Sequence, residues 1–125
     1  MPSSFQKYNF EKLEVWKLGM SIVAHVYRIT RNFPKSELFG LSDQLRRAST
    51  SIVLNIAEGT GQPTKKGFCV YIHRAKSSVL ECVACIKIAE QEKFVEPHIL
   101  TEIHTLFQEE YFKLIALAKS MQLNN

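Results

Sequence analysis

Cysteines and histidines are the side chains of this sequence with the clearest chemical potential. The run Cys82-Val83-Ala84-Cys85 has the two-residue spacing of zinc-binding and redox pairs, and Cys69 and His73 share a face at a spacing of four residues. Neither set has a second pair at ligand spacing. The remaining histidines stand in no Ser, Cys or carboxylate arrangement that is typical of catalysis: His25, His98 and His104. We therefore predict core cysteines, no metal, no cofactor and no catalytic activity.

A row of polar residues on one predicted helix is more unusual. Its members fall within about 80° of one another at 100° per residue, beside the apolar face: Gln44, Arg47, Ser51, Asn55 and Glu58. The next predicted helix carries a similar row: Arg74, Ser78 and Glu81. In an antiparallel hairpin Arg47 comes opposite Glu81, and Asn55 and Glu58 approach Arg74.

The charged residues of this polar row are expected to be half-buried and therefore paired. Desolvation costs several kcal/mol per ion when a half-buried charge has no partner. We predict an Arg47–Glu81 ion pair inside a structural polar network of Arg47, Ser51, Asn55, Glu58, Arg74 and Glu81. The competing interpretation is an active site built on Arg47, Asn55, Glu58 and Glu81. The adjacent pair Glu109-Glu110 is interpreted as solvated.

The distribution of charge favours a polyanion as partner. The formal net charge is +4; residues 1–63 carry eight Lys/Arg against five acids, residues 64–95 six against three, and residues 96–125 two against four. The candidate nucleic-acid-binding residues are Lys12, Lys17, Arg28, Lys65, Lys66 and Lys76, with Lys7 in the lead-in. Lys65 and Lys66 begin a predicted helix, where backbone N–H groups favour anions. Ordinary solvated helix faces are the alternative.

Hydrophobic periodicity predicts the helices that carry these residues. It predicts four helices, at about 9–32, 43–58, 65–91 and 97–122, with Ser42 and Thr64 as N-caps and Pro97 as a first helical residue. No stretch shows sustained strand alternation. Short loops between long helices favour antiparallel neighbours, so we predict an all-α, up-and-down four-helix bundle in a single domain, 1–125.

The first helix has more apolar surface than an ordinary surface helix. A row with alternating spacings of three and four is predicted to be its core seam: Leu13, Trp16, Met20, Val23, Tyr27 and Thr30. A second row widens the apolar arc to roughly 200°: Val15, Ile22, Val26, Ile29 and Phe33. The surplus predicts contact with a neighbouring subunit. No apolar run approaches the roughly 20 residues of a membrane-spanning helix, and the first residues lack a secretory leader, so a cytoplasmic location is expected.

Several runs carry a family resemblance: Phe10-Glu11-Lys12-Leu13-Glu14-Val15-Trp16, Phe39-Gly40-Leu41-Ser42-Asp43-Gln44-Leu45-Arg46-Arg47-Ala48, Asn55-Ile56-Ala57-Glu58-Gly59 and Ser78-Val79-Leu80-Glu81. Over about residues 5–120 the chain resembles the four-helix-bundle proteins encoded in intervening sequences of bacterial 23S ribosomal RNA genes. The same fold is similar to the accessory variability protein of diversity-generating retroelements, a five-fold ring that associates with a reverse transcriptase and nucleic acid. The resemblance implies a homo-oligomer, most directly a pentameric ring, and no catalysis.

Two functional hypotheses therefore stand side by side. The leading one is a non-catalytic oligomeric bundle that binds RNA or DNA through phosphates, without base-specific readout, since no aromatic stacking row is evident. The alternative is an oligomeric protein–protein interaction scaffold, such as an accessory subunit of a reverse transcriptase, that binds no nucleic acid. Lysines on one face favour the first hypothesis; scattered lysines and an exposed apolar groove favour the second.

Overall fold

The computed structural model describes residues 8–123, the side chain of Leu123 apart, and this range contains four α-helices and no strand. A 3₁₀ turn, Asn9–Lys12, precedes α1 (Glu14–Arg31), and a second one, Lys35–Glu37, precedes α2 (Leu41–Thr60). The two long helices are α3 (Lys65–Gln91) and α4 (Pro97–Leu123). The predicted all-α, four-helix architecture is confirmed.

Two predicted helix starts are corrected. Leu13 is extended (φ −74°, ψ 135°), so α1 begins at Glu14 and the preceding residues form a separate turn rather than the start of one helix at Asn9. The N-cap of α2 is Gly40, and Ser42 is buried within the helix instead of capping it. The cap predicted for α3 is present, since Thr64 Oγ1 accepts a hydrogen bond of 3.0 Å from the Gly67 backbone N–H.

Contacts between neighbouring helices show that each pair runs antiparallel. Glu14 of α1 contacts Lys113 of α4, and His25, which lies later in α1, contacts Glu102, which lies earlier in α4. The same inversion holds for the other neighbours: α1 with α2 (Gly19–Val53, Thr30–Arg46), α2 with α3 (Ser51–Ser78, Gly59–Phe68) and α3 with α4 (Cys69–Ala118, Lys76–Tyr111). The chain is thus an up-and-down bundle in which α1 and α3 are diagonal.

The core uses the second apolar row of α1 and leaves much of the predicted seam at the surface. The second row is at most 7% exposed: Val15, Ile22, Val26, Ile29 and Phe33. Met20 and Tyr27 are 44% and 36% exposed. The seam prediction was therefore wrong for these residues, because both rows are apolar and periodicity alone does not choose which one faces the bundle.

Close backbone packing holds α2 against α1 and α3. A Cβ atom at Gly19 would lie 2.8 Å from Val53 Cγ1, and one at Gly59 would lie 2.8 Å from the Phe68 ring. Both positions therefore need glycine for space. The stretch from Ala48 to Ala57 carries no charged residue, so its contacts with α1 and α3 are made by apolar and small polar groups.

None of the four helices in residues 8–123 has the length and the apolar character that crossing a bilayer would require.

Candidate nucleic-acid interface

A small polar cluster joins α2 to α3 at the predicted register. Asn55 Nδ2 donates hydrogen bonds to the Ser51 carbonyl oxygen (2.8 Å) and to Ser51 Oγ (3.0 Å). Ser78 Oγ lies 3.0 Å from Ser51 Oγ and 3.2 Å from the Arg74 carbonyl oxygen. Two members of the predicted network, Ser51 and Asn55, therefore meet, and Ser78 of the α3 row joins them across the α2–α3 interface.

The charged members of that network do not join it, and the predicted Arg47–Glu81 ion pair is not formed. Arg47 Nε instead donates to Asp43 Oδ2 at 2.9 Å, within α2, and its side chain is 80% exposed. Glu58 and Glu81 are exposed, and the Arg74 guanidinium lies over the Tyr71 ring at 4.8 Å. Because these charges stay in water, no desolvation forces them to pair. They do not converge on a site that could act on a substrate.

Two of the three cysteines, Cys82 and Cys85, lie where thiolate chemistry is disfavoured. Cys82 and Cys85 are buried, and this burial raises the pKa of both thiols. Cys69 Sγ lies 3.6 Å from His73 Nε2, as the spacing predicted. Within residues 8–123 no group of three or more His, Cys, Asp or Glu side chains is placed to hold a metal ion.

His25 is fully engaged between α1 and α4. Its Nδ1 lies 2.8 Å from the Ser21 carbonyl oxygen and its Nε2 lies 2.8 Å from Glu102 Oε1. Both ring nitrogens therefore have a partner on the protein, and His25 acts as a structural bridge between the two helices.

The charges of the described residues divide unequally between the two ends of the bundle. We define the lysine half as residues 8–22, 51–78 and 110–123, which antiparallel packing brings to one end, and the mixed half as residues 23–50 and 79–109. The mixed half has seven Lys/Arg and eight acids. The lysine half has four acids against eight cations, which are Lys12, Lys17, Lys65, Lys66, Arg74, Lys76, Lys113 and Lys119.

Five of the six candidate nucleic-acid-binding residues lie in the lysine half. Lys12 and Lys17 come from the first 3₁₀ turn and α1, and Lys65 and Lys66 from the first turn of α3, on the diagonal helix. Lys76 is only partly exposed, with Nζ 6.0 Å from the Tyr111 ring. Arg28 lies in the mixed half, beside the cleft that His25 and Glu102 line. Lys7 lies outside the described residues.

Ion pairing follows the same division. Three of the four ion pairs among the described residues are in the mixed half: His25–Glu102, Arg47–Asp43 and Lys87–Glu90. The lysine half has one, Lys113–Glu14 at 2.9 Å, which raises the pKa of the ammonium and lowers that of the carboxyl. Lys12, Lys66 and Lys119 form no ion pair within residues 8–123. The cationic excess of the lysine half is therefore directed to solvent.

Glu110 is the one carboxyl of the lysine half that is buried, which corrects the interpretation of Glu109-Glu110 as a solvated pair. The side chain is 0% exposed, its two oxygens have no hydrogen-bond partner, and a Cβ at Gly19 would lie 3.0 Å from Oε2. Burial and then the charge of Glu109 raise its pKa to about 8, while Lys113 opposes the shift. At neutral pH Glu110 is thus mainly protonated and does not offset the cations around it.

Sequence reasoning also missed three aromatic side chains at the lysine half. Tyr8 and Phe10 stack with an interplanar angle of 6°, and Phe10 packs edge-on against Trp16 with ring centroids 4.5 Å apart. These rings contact one another rather than a ligand, so the expectation that no aromatic row reads bases stays a prediction. The contacts were missed because Phe10 was assigned to a continuous helix with Trp16, whereas the chain changes direction at the extended Leu13.

Comparison with known proteins agrees with this architecture. The family profile described as 23S rRNA-intervening sequence protein matches residues 11–116. A crystal structure of a protein with unknown function from the S23 ribosomal protein family of Bacteroides thetaiotaomicron superposes with a TM-score of 0.78 at 18% sequence identity, covering 84% of this chain and 98% of that chain. At this identity the likeness concerns the fold alone. Comparison with curated protein sequences found no significant match.

Proposed function

The chain belongs to the family of 23S rRNA-intervening sequence proteins, and from this premise we propose that it is a non-catalytic, oligomeric bundle that binds nucleic acid through phosphates, without choosing a sequence. The observation that carries this proposal is the division of charge between the two halves. The lysine half has eight cations against four acids, Lys12, Lys66 and Lys119 form no ion pair within residues 8–123, and the buried Glu110 is mainly protonated at neutral pH.

A phosphate backbone is the ligand that fits such a surface. Lysine ammonium groups neutralise phosphates as point charges and release condensed counterions, which favours binding without base contacts. Lys65 and Lys66 add the N-terminal end of α3, where the helix dipole is positive. No recognition helix is needed for this mode of binding, and the contacts would be the same for RNA and DNA.

Self-association is the second part of the proposal, and the exposed seam of α1 supports it. Met20, Val23, Ala24 and Tyr27 form a shallow apolar cleft with Arg28 and Arg31 at its rim. Helix α4 presents Phe112, which is 65% exposed, with the exposed Glu109 three residues before it. Apolar and charged groups of these two faces are complementary, so a second copy fits the cleft head to tail. A head-to-tail contact forms a ring when the rotation between successive copies divides a full turn, and the pentamer is the ring we propose.

Oligomerisation would strengthen weak contacts. Each subunit offers a modest cationic surface, and a ring presents several copies of it to one strand, so that the second and later contacts form at high effective concentration. Sedimentation velocity measures the mass of the oligomer, which we expect to be that of a pentamer. Met20→Glu is expected to lower the oligomer mass, and Ile88→Glu, at a similarly exposed apolar residue of α3, serves as the matched control.

The test of binding is a fluorescence-anisotropy titration with RNA and DNA oligonucleotides at several salt concentrations. We expect log K to fall linearly with log salt, with a slope near −0.9 for each phosphate contacted in B-DNA. An absence of binding at low salt would reject the nucleic-acid proposal. In that case the exposed apolar cleft on α1 would favour the alternative, an oligomeric scaffold whose partner is another protein.

A further inference from the structure

The exposed aromatic residues at the start of the chain suggest which nucleic acids this surface prefers. Tyr8 is 66% exposed, and its ring stacks on Phe10 with centroids 5.8 Å apart. Phe10 in turn packs edge-on against Trp16, which contacts the core. The three rings form a continuous cluster, named here the aromatic platform, that runs from the core to an outermost ring in solvent.

Local hydrogen bonds hold the platform in place. The Tyr8 backbone N–H donates to Glu11 Oε2 at 2.7 Å, and the Glu11 N–H donates to the Tyr8 carbonyl oxygen at 3.1 Å, which closes the 3₁₀ turn. The extended Leu13 then redirects the chain into α1, so that Trp16 reaches back to Phe10. The outer ring is thus oriented before any ligand arrives, which lowers the entropic cost of binding.

Cations flank the platform along the chain. Lys12 ends the same 3₁₀ turn, and Lys17 lies in the first turns of α1; both are exposed. An exposed aromatic ring with lysines nearby in the chain suits the two parts of a nucleotide, because a base can stack on the ring while lysines neutralise the flanking phosphates. A duplex keeps its bases stacked inside, so it offers only its phosphates to such a surface.

From this arrangement we infer that the aromatic platform binds an unpaired base on Tyr8, and that single-stranded nucleic acid is the preferred ligand class of the lysine half. The inference rests on the proposed function for its phosphate contacts and adds the stacking contact. Stacking tolerates any base, so the preference concerns strandedness rather than sequence. The shared chemistry is an unpaired base with its phosphates, whether the strand is RNA or DNA.

The test compares the full-length protein and three variants in anisotropy titrations with single-stranded RNA, single-stranded DNA and the matching duplexes at one salt concentration. We expect tighter binding to both single strands than to the duplexes. Tyr8→Ala is expected to weaken single-strand binding roughly tenfold and to leave duplex binding unchanged. Tyr8→Phe keeps the ring and should retain the affinity. Phe39→Ala removes a 91% exposed aromatic ring from the mixed half and should leave the affinities for single strands and duplexes unchanged.

The outcomes separate this inference from the function on which it rests. Equal affinity for single strands and duplexes, with no effect of Tyr8→Ala, overturns the platform and leaves phosphate binding standing. Loss of binding to every oligonucleotide at low salt rejects both. An equal effect of Tyr8→Ala on single strands and duplexes also overturns the platform, since it would indicate a change in the surface rather than a lost base contact. Preference for only one of the two single strands would assign the platform to RNA or to DNA.

Discussion

The two halves of the bundle differ in their balance of positive and negative charge. In the mixed half several polar and charged groups have partners on the protein: His25 with Glu102, Arg46 Nε with Thr30 Oγ1 at 2.8 Å, and Arg47 with Asp43. In the lysine half Lys12, Lys66 and Lys119 are exposed and form no ion pair within residues 8–123, while the carboxyl of Glu110 is enclosed without a hydrogen-bond partner. The charges of the mixed half nearly cancel, whereas the lysine half retains positive charge that a ligand can neutralise.

The largest expected effect concerns the buried acid of the lysine half. The pKa of Glu110 is raised from 4.5 to about 8, so the folded state holds a proton that the unfolded state has lost. Stability is therefore expected to fall as pH rises from about 4.5 to about 8, by at most about 1.4 kcal/mol per pH unit. Urea unfolding at fixed protein concentration between pH 5 and pH 9 measures this slope.

Glu110→Gln provides the control for that slope. The amide keeps the side-chain volume but cannot ionise, so the pH dependence over this range should flatten. Glu96→Gln, at an exposed carboxylate before α4, should leave the wild-type slope intact. A wild-type protein whose stability does not change between pH 5 and pH 9 would show that Glu110 finds a partner when it ionises.

A second prediction compares lysines from the two halves. Replacing Lys12 and Lys66 with Gln is expected to weaken duplex binding roughly sixtyfold at 0.1 M salt, because each lost phosphate contact removes a factor of about eight. The matched variant, Lys35→Gln with Lys87→Gln, changes the net charge equally but lies in the mixed half. Anisotropy titrations measure both. Equal losses for the two variants would mean that net charge, not its location, controls binding.

A third, smaller effect tests pairing in the mixed half with two adjacent arginines. Arg46 is half-buried, donates to the buried Thr30 and lies over the Tyr27 ring at 5.1 Å, so Arg46→Ala should cost about 1–2 kcal/mol of unfolding free energy. Arg47→Ala removes an exposed pair with Asp43 and should cost less than about 0.5 kcal/mol. Urea denaturation ranks the two. A larger loss for Arg47→Ala than for Arg46→Ala would contradict the expectation that a half-buried arginine contributes more to stability than an exposed one.

Sequence patterns predicted a helix well where local signals mark both its start and its end. The bounds of α3 follow from Thr64 at one end and the loop before Pro97 at the other, and both signals are local. The start of α1 was mispredicted because Leu13 continues the apolar rhythm while its backbone is extended. The buried row of α1 was also misassigned, since two apolar rows satisfy the same period and only the positions of α2 and α4 select one.

Only part of the candidate site could be predicted, because sequence fixes helix register better than helix rotation. The Ser51–Ser78 register follows from loop length and antiparallel packing, but the direction in which Arg47 and Glu81 point depends on helix rotation by a few tens of degrees. Glu110 occupies a core position of α4 between Phe107 and Leu114, and residue type argued against burial there. The lysine half brings together residues from all four helices, so no single segment of sequence displays it.

The most direct test of this account is lysine footprinting, in which accessible amines are acetylated with and without a bound oligonucleotide and read out by mass spectrometry. The account predicts that nucleic acid protects Lys12, Lys17, Lys66 and Lys119, and that Lys35, Lys87 and Lys93 react as before. Protection of the second group, or equal protection of both, would contradict the assignment of binding to the lysine half.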